Sequence, residues 1–145
     1  MRILTIGFTH KSAEQFFGAL ERAGTRTVVD IRLHNISQLA GFAKRDDLRF
    51  FLDRIAGIGY RHETLLAPTE EILTGYQKKG ITWPEYEERF GALLREREVE
   101  SALDPAELDD ACLLCSEATP ERCHRRLVAE YLQQRWPDVK IVHLL

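Results

Sequence analysis

Residues 2–31, RILTIGFTHKSAEQFFGALERAGTRTVVDI, decide the fold, because two apolar stretches flank an amphipathic one. Residues 2–6 are short and apolar, and residues 27–31 are rich in β-branched side chains, so both are predicted to be buried strands. Between them, Ser12 followed by Gln15 is a capping-box pattern that predicts the start of a helix. A strand, a helix and a second strand in this order predict the first crossover of a parallel sheet.

The same alternation continues to the end of the chain. Further strands are predicted at residues 60–64, 111–116 and 139–144, with helical patterns between them. Strands that alternate with helices predict a parallel sheet covered on both faces, since a helix makes each parallel crossover. We therefore expect one α/β domain over residues 1–145, a three-layer sandwich with a mainly parallel, roughly five-stranded, Rossmann-like sheet.

Capping signals predict where the later helices begin. Asp46 or Asp47 is expected to cap the second helix, and Thr82 to cap one that carries an early proline. Thr119 and Pro120 form the N-cap and first-turn pattern of the last helix. On the second helix, the residues expected to share the buried face are Leu48, Phe51, Leu52 and Ile55.

Composition bounds the classes of function. A chain of 145 residues with 44% hydrophobic and 30% charged residues is typical of one soluble globular domain. The net charge of −3 argues against a protein that coats nucleic acid through bulk positive charge. No apolar stretch is long enough for a membrane span or a signal peptide. Three cysteines cannot all pair within one chain, so we expect a cytoplasmic protein with no membrane partner.

Residues able to do chemistry gather at one edge of the predicted sheet, where open parallel sheets bind ligands. Loops 7–12, 30–34, 63–64 and 115–119 all follow the carboxyl ends of predicted strands. The connection 33–45 is long and carries His34, Asn35, Ser37, Lys44 and Arg45. The residues expected to bind a ligand are Thr9, His10, Arg32, Lys44 and Arg125. The residues expected to supply an acid, a base or a nucleophile are Asp30, Cys115, Glu117, Cys123 and His124.

The segment CLLCSEATPERCHRR, which starts at Cys112, holds all three cysteines and is open to several interpretations. Four potential zinc ligands are present, but Cys112 and Cys115 are three apart on a strand and so point to opposite faces. The sequence therefore favours no tightly bound metal, although a smaller site built from Cys115, Glu117, Cys123 or His124, with Asp30 as a further candidate ligand, stays open. Cys112 is expected to be an ordinary buried residue.

A thiol active site is the second interpretation of this segment. With Thr119 as the N-cap, Cys123 falls in the first helical turn, where the dipole and nearby arginines lower the pKa of a thiol. In the third interpretation, Cys123 and Leu127 simply share the buried face of the helix. Arg125 then pairs with Glu121 one turn earlier.

Asp30 and Arg32 lie two residues apart at the end of a predicted strand and so point to the same side. Such residues either clamp and activate a substrate or fix the loop through an ion pair with Arg125 or Lys44. His10 either meets an anion at the start of the first helix or lies exposed in water. The sequence leaves these alternatives open.

The stretches TIGFTHKSAEQFF, VVDIR, LAGFAKRDDLRFFL, GIGYRHE and CLLCSEATPERCHRRLVAEYL resemble the domain of unknown function 488 family along the whole chain. The matching motifs are residues 5–7, residues 30–32, and residues 115–117 together with 123–125. Many members have His-Ser directly after the first glycine, whereas this chain places its histidine later, at His10. The resemblance implies a Rossmann-like α/β fold and no agreed reaction.

Together these patterns predict a protein that binds an anionic small molecule, such as a nucleotide or a phosphate-bearing metabolite, at the carboxyl edge of the sheet. Cysteine, glutamate and histidine chemistry on that ligand is one expectation, and no cofactor is identified. A non-catalytic module that senses a nucleotide or nucleic acid is the rival, with nucleic acid weakly supported by the acidic composition. A metal or redox sensor is the third alternative. No glycine-rich phosphate loop is present, which argues against a dinucleotide or P-loop nucleotide.

Overall fold

The computed structural model describes residues 1–36 and 40–145, and within them five parallel strands form one sheet. The strands are β1 (Arg2–Gly7), β2 (Thr27–Asp30), β3 (Gly59–His62), β4 (Ala111–Cys115) and β5 (Lys140–His143). Their order across the sheet is β3-β2-β4-β1-β5. The predicted parallel α/β fold is confirmed, and each strand lies within two residues of its predicted limits.

Helices connect these strands. The α-helices are α1 (Ala13–Arg22), α2 (Arg45–Phe51), α3 (Glu70–Gln77), α4 (Trp83–Arg97), α5 (Val99–Ala102), α6 (Pro105–Leu108) and α7 (His124–Arg135). The capping box at α1 is confirmed, since Ser12 Oγ accepts from the Gln15 amide at 3.1 Å and the Ser12 amide donates back to the Gln15 side chain at 2.9 Å. Thr82 caps α4 as predicted.

The sheet separates two hydrophobic cores. One core is formed with α1 and α2, around Phe16 and Leu48, and the other with α4 and α7, around Phe90. Cys112 belongs to the first core and Cys115 to the second, because residues three apart on a strand point to opposite faces. Cys112 is therefore a fully buried free thiol, as predicted.

The second helix differs from its prediction in its cap and in its buried face. Lys44 is the N-cap of α2, so the predicted aspartate cap is wrong. Asp46 and Asp47 lie in the first turn, where carboxylates favour the positive end of the helix dipole. Ile55, predicted to be buried, is 48% exposed. The helix continues into a π turn at Leu52–Ala56, and this wider turn rotates Ile55 away from the core.

The last helix begins later than predicted. α7 starts at His124 rather than directly after Thr119, so the predicted start is wrong, and residues 116–123 form a loop. Arg125 holds this loop, because its Nη1 donates to the carbonyl of Glu117 at 2.5 Å. That carbonyl is thus bonded to a side chain instead of to a helical amide.

The strand order brings the predicted functional loops together. β2, β4 and β1 are neighbours, so the chain segments that follow Asp30, Cys115 and Gly7 leave the sheet side by side. Ser37, in the long connection after β2, lies outside the described residues. No helix in the described parts of the chain is long and apolar enough to cross a membrane.

Candidate functional site

A cavity of about 490 Å³ opens at the carboxyl ends of β2 and β4. One side is built from residues that follow these two strands, and the other from residues of α3 and α4. The predicted functional residues that line it are Arg32, Cys115, Glu117, Cys123 and His124. Side chains far apart in the sequence therefore converge on one hollow, at the ligand-binding edge of a parallel sheet.

Two cysteines and a histidine form the innermost corner of this cavity. The Sγ atoms of Cys115 and Cys123 lie within bonding distance, and their Cα atoms are 7.4 Å apart. One ring nitrogen of His124 lies within 4.8 Å of both sulfur atoms. Both cysteines are almost fully buried, whereas His124 is partly buried. The corner is therefore sheltered from bulk water but open to a molecule in the cavity.

His124 is held in one orientation by the backbone. Its Nε2 donates to the carbonyl of Ile31 at 2.7 Å, and since a carbonyl can only accept, Nδ1 of the neutral ring carries no proton. The ring also packs edge-on against Phe90, with centroids 5.6 Å apart. Burial lowers the pKa of His124 to about 4, against the opposing effect of the Ile31 hydrogen bond. At neutral pH the imidazole is uncharged and able to accept a proton or a metal ion.

Arg125 lies fully buried beneath the corner. Its Nε donates to Thr5 Oγ1 at 3.3 Å, and its Nη1 donates to Cys115 Sγ at 3.6 Å and to the Glu117 carbonyl. Its Nη2 is buried without a hydrogen-bond partner among the described residues. The predicted ion pair with Glu121 does not form, because the guanidinium turns inward to the end of β4 instead of along the helix surface.

The charge of Arg125 is not neutralised by a carboxylate of the described chain. Burial lowers the pKa of Arg125, as it does for any cation removed from water. Cys123 is the N-cap of α7, where free backbone amides add positive potential. The bonded sulfur atoms of Cys115 and Cys123 therefore lie in an electropositive environment.

Gly7, at the end of β1, allows this arrangement by having no side chain. A Cβ atom at this position would lie 1.6 Å from the Glu117 carbonyl oxygen and 2.6 Å from Nη1 of Arg125. The loop after β4 can cross over β1 only because this space is empty. The Thr-Ile-Gly motif of the first strand thus has a physical role at the site.

Asp30 and Arg32 form a buried ion pair, so the predicted partners Arg125 and Lys44 are wrong. Nε and Nη2 of Arg32 donate to the two carboxylate oxygens at 2.8 and 2.9 Å. The hydroxyl of Tyr60 donates to the same carboxylate at 2.6 Å. Burial alone would raise the pKa of Asp30, but the hydrogen bonds and charge of Arg32, with Tyr60, hold this pKa below its usual value.

Only one member of this pair reaches the cavity. Asp30 is fully buried behind Arg32 and is not among the described residues that line the hollow. Arg32 lines the cavity, donates Nη2 to the Ala43 carbonyl at 2.7 Å, and keeps Nη1 buried without a hydrogen-bond partner among the described residues. Asp30 is thus placed to orient Arg32, and its predicted role as an acid or base stays a prediction.

Aromatic side chains form the opposite wall. The rings of Trp83 and Tyr86 are stacked, with centroids 4.9 Å apart and planes 15° apart. Tyr76 packs against both, at 5.5 and 5.3 Å. Burial raises the pKa of Tyr86, and the nearby charges of Tyr76 and Glu117 raise it further, so its hydroxyl remains protonated. This wall offers a planar apolar surface to a ligand.

Charged side chains surround the mouth of the cavity. Lys79 and Arg122 are exposed and line it, and Glu117 is the one carboxylate among its described lining residues. In the connection between β1 and α1, burial lowers the pKa of Lys11, and the positive charge of Arg125 lowers it further. Cationic groups therefore outnumber anionic ones around this hollow.

The remaining predicted binding residues lie outside the described lining of the cavity. Thr9 is partly buried and donates its hydroxyl to the Ser116 carbonyl at 2.5 Å, which ties the loop after β1 to the loop after β4. His10 is exposed in the left-handed backbone region, with φ of 63°. Lys44 is exposed at the start of α2. Their ligand-binding roles stay predictions, and Thr9 has a positioning role in the structure.

The sequence did not point to several residues of the site. None of the sequence patterns described above singled out Trp83, Tyr86 or Arg122, yet all three line the cavity. The spacing of Tyr76, Trp83 and Tyr86 across two consecutive helices was the signal that could have indicated an aromatic wall.

Comparison with known protein families identifies the chain. The family described as Domain of unknown function DUF488 matches residues 12–132, which is more than half of the 145 residues. The chain therefore belongs to this family, and the resemblance drawn from its motifs is confirmed. No curated protein and no solved structure matches the chain.

Proposed function

We propose that this member of the family binds an anionic small molecule that carries a planar ring, a nucleotide or a related phosphate-bearing metabolite. One observation carries the proposal: Arg32 lines the cavity with a buried Nη1 that has no partner among the described residues, opposite a wall of stacked rings. An unmet guanidinium N–H is costly inside a protein and is satisfied by an oxygen of a bound anion.

The charge around the cavity supports an anionic ligand. Arg32, Arg122 and Lys79 line it against the single carboxylate of Glu117. Arg125 adds a buried positive charge beneath the Cys115 corner. Phosphate and carboxylate groups form their strongest hydrogen bonds with such cationic donors.

The aromatic wall supports a planar group on the same ligand. Trp83 and Tyr86 line the cavity, and their rings are stacked. Stacking of a nucleobase on an aromatic side chain contributes about 1–3 kcal/mol to binding. A molecule with a phosphate at one end and a flat ring at the other matches both walls.

Chemistry on the ligand, if the protein is an enzyme, belongs to the inner corner. The neutral His124 can accept a proton at Nδ1, and Glu117 lines the cavity as a second acid or base. Once the bond between them is reduced, Nη1 of Arg125 would stabilise a thiolate of Cys115, and the amides at the start of α7 would stabilise one of Cys123. These four groups could act on a bond of the ligand that lies at this end of the cavity.

Titration of the protein with adenosine monophosphate, adenosine and inorganic phosphate tests the proposal. Binding is followed by calorimetry and by the fluorescence of Trp83, with Trp83→Phe to identify the source of the signal. We expect the nucleotide to bind at least about tenfold more tightly than the nucleoside, since a charged hydrogen bond contributes about 1.5–3 kcal/mol. Absence of binding by nucleotides, nucleosides and phosphate alike would refute it.

A pair of matched variants localises the binding. Arg122→Gln removes an exposed cation of the cavity and should weaken the nucleotide about tenfold, whereas Arg89→Gln, exposed on α4 and outside the lining, should leave affinity unchanged. Glu117→Gln separates catalysis from binding, because it should preserve affinity while abolishing turnover in an enzyme. In a pure sensing module there is no turnover to abolish.

A further inference from the structure

We infer that Cys115, Cys123 and His124 form a binding site for a thiophilic divalent metal ion, for which zinc is the best match. The three ligand atoms lie within 4.8 Å of one another, at the end of β4 and the start of α7. Two sulfurs and one imidazole nitrogen are a donor set typical of zinc. The site is independent of the nucleotide proposed above, since it needs only the protein and the ion.

The two sulfur atoms are bonded to each other in the structure, so an ion can enter between the three ligands only after that bond is reduced. A tetrahedral zinc ion has Zn–S bonds of about 2.3 Å and Zn–N bonds of about 2.0 Å, which hold its ligand atoms roughly 3.5–3.8 Å apart. After reduction the two sulfur atoms have to move apart to reach those separations, and all three ligand atoms already lie within 4.8 Å of one another. Nε2 of His124 is held by the Ile31 carbonyl, so Nδ1 is the nitrogen left to bind the ion.

The backbone spacing argues that the two cysteines are not a permanent cross-link. Their Cα atoms are 7.4 Å apart, beyond the range of about 4.4–6.8 Å that disulfides usually span. The bonded and metal-bound forms exclude each other. Two molecules of a small-molecule thiol supply two electrons and two protons, reduce the protein disulfide to two thiols and are themselves oxidised to a disulfide; metal binding then displaces the two protons from the cysteines.

The surroundings of the three ligands match the outer shell of a metal site. A metal-bound histidine usually donates its other ring N–H to a carbonyl or carboxylate, and His124 donates Nε2–H to Ile31. Nη1 of Arg125 donates to Cys115 Sγ at 3.6 Å, which stabilises a coordinating thiolate. No residue other than these three forms such a cluster in the described chain.

Three protein ligands leave one position of a tetrahedral ion open. Structural zinc sites close all four positions with protein atoms, whereas catalytic sites keep one for water or substrate. Cys115, Cys123 and His124 all line the cavity, so the open position faces it. If the proposed anionic ligand binds there, the ion polarises its oxygen, and this last step alone rests on the proposed function.

Metal retention in the reduced, full-length protein tests the inference. The protein is reduced, incubated with zinc, dialysed and analysed for zinc per chain. We expect one ion per chain in the wild type and in Cys112→Ser, the buried cysteine of the other core, and loss of the ion in Cys115→Ser and Cys123→Ser. The inference would be overturned if the reduced wild-type protein retained no zinc, or if Cys112→Ser lost as much zinc as Cys115→Ser and Cys123→Ser.

Cobalt gives a second measurement that needs no variant. Reduced wild-type protein with one equivalent of cobalt should show thiolate-to-cobalt charge-transfer absorption and the visible bands of a tetrahedral site, both abolished by excess zinc. A spectrum identical to that of aqueous cobalt would contradict the site even if a cysteine variant fails to fold. Zinc binding without nucleotide binding would leave this inference standing and remove the proposed function.

Discussion

Two buried arginines of this protein differ in what surrounds them. Arg32 forms a bidentate ion pair with Asp30, and Tyr60 and Asn35 also donate to that carboxylate. Arg125 is fully buried as well, yet it has no carboxylate partner among the described residues and donates instead to a thiol, a hydroxyl and a carbonyl.

This difference distinguishes a region whose hydrogen bonds and charges are nearly all paired from a region in which they are not. The Asp30–Arg32 network is nearly complete within the chain, and only Nη1 of Arg32 is left over. Among the described residues, the region around Arg125 contains a positive charge without a carboxylate partner, an unpartnered Nη2 and a bonded pair of cysteines beside a histidine. Buried positive charge without a partner is costly, so a region of this kind is where an anion, either a bound ligand or a cysteine thiolate, completes the structure.

The largest expected effect is on the network of Arg32. Asp30→Ala leaves the buried guanidinium without its partner, and removing one partner of a buried ion pair costs about 3–5 kcal/mol. Urea unfolding followed by circular dichroism measures the free energy of unfolding. A loss below about 1 kcal/mol would show that the pair is not a structural element.

Gly7 lies between the two regions, and we expect Gly7→Ala to lower the free energy of unfolding by about 3 kcal/mol. The new Cβ would overlap the Glu117 carbonyl, which is backbone and cannot rotate away, and such overpacking costs about 1–3 kcal/mol or more. Gly41→Ala is the matched control, because a Cβ there meets no atom within 4 Å. Equal free energies of unfolding for the two variants would contradict the close approach of the Glu117 carbonyl to Gly7.

A smaller loss is expected for Arg125→Met. The variant removes hydrogen bonds but also removes an unneutralised buried charge, so we expect the unfolding free energy to fall by less than about 2 kcal/mol. The same variant should weaken nucleotide binding, because it removes a buried positive charge beneath the cavity. If the free energy of unfolding fell as much as in Asp30→Ala while ligand binding stayed intact, Arg125 would be a structural residue. The proposed difference between the two buried arginines would then be wrong.

The smallest expected effect is the dependence of stability on pH. The pKa of Asp30 is lower in the folded protein than in the unfolded chain, so its stabilisation is complete above the unfolded pKa of about 4 and is lost as pH falls through the lower folded pKa. In Asp30→Asn, the stability should fall less steeply below pH 4 than in the wild type. Asp53→Asn, at an exposed position, is the control, and parallel acid profiles for all three would contradict the assignment.

The alternation of apolar strands and amphipathic helices was enough to predict the sheet. It also predicted that Asp30 and Arg32 share a side and that Cys112 points away from Cys115, because both follow from the twofold repeat of a strand. The convergence of Arg32 with Cys123 followed from the rule that parallel strands end at the same edge. These predictions needed only local geometry.

Tertiary packing decided what the sequence could not predict. The i, i+4 spacing of Glu121 and Arg125 indicated an exposed ion pair, but the guanidinium turns inward, because the loop that replaces the predicted helix start brings the Glu117 carbonyl to it. The aromatic wall depends on how α3 and α4 pack together, and helical periodicity identifies Tyr86 as buried without showing that Trp83 faces a cavity.

A crystal structure of the reduced protein with adenosine monophosphate tests the central claim most directly. The claim is that the hollow between the cationic loops and the aromatic wall is a ligand site. We expect a phosphate oxygen within hydrogen-bond distance of Nη1 of Arg32 and the base stacked on Trp83. A cavity that holds only water while the nucleotide is absent, or bound elsewhere on the surface, would contradict it.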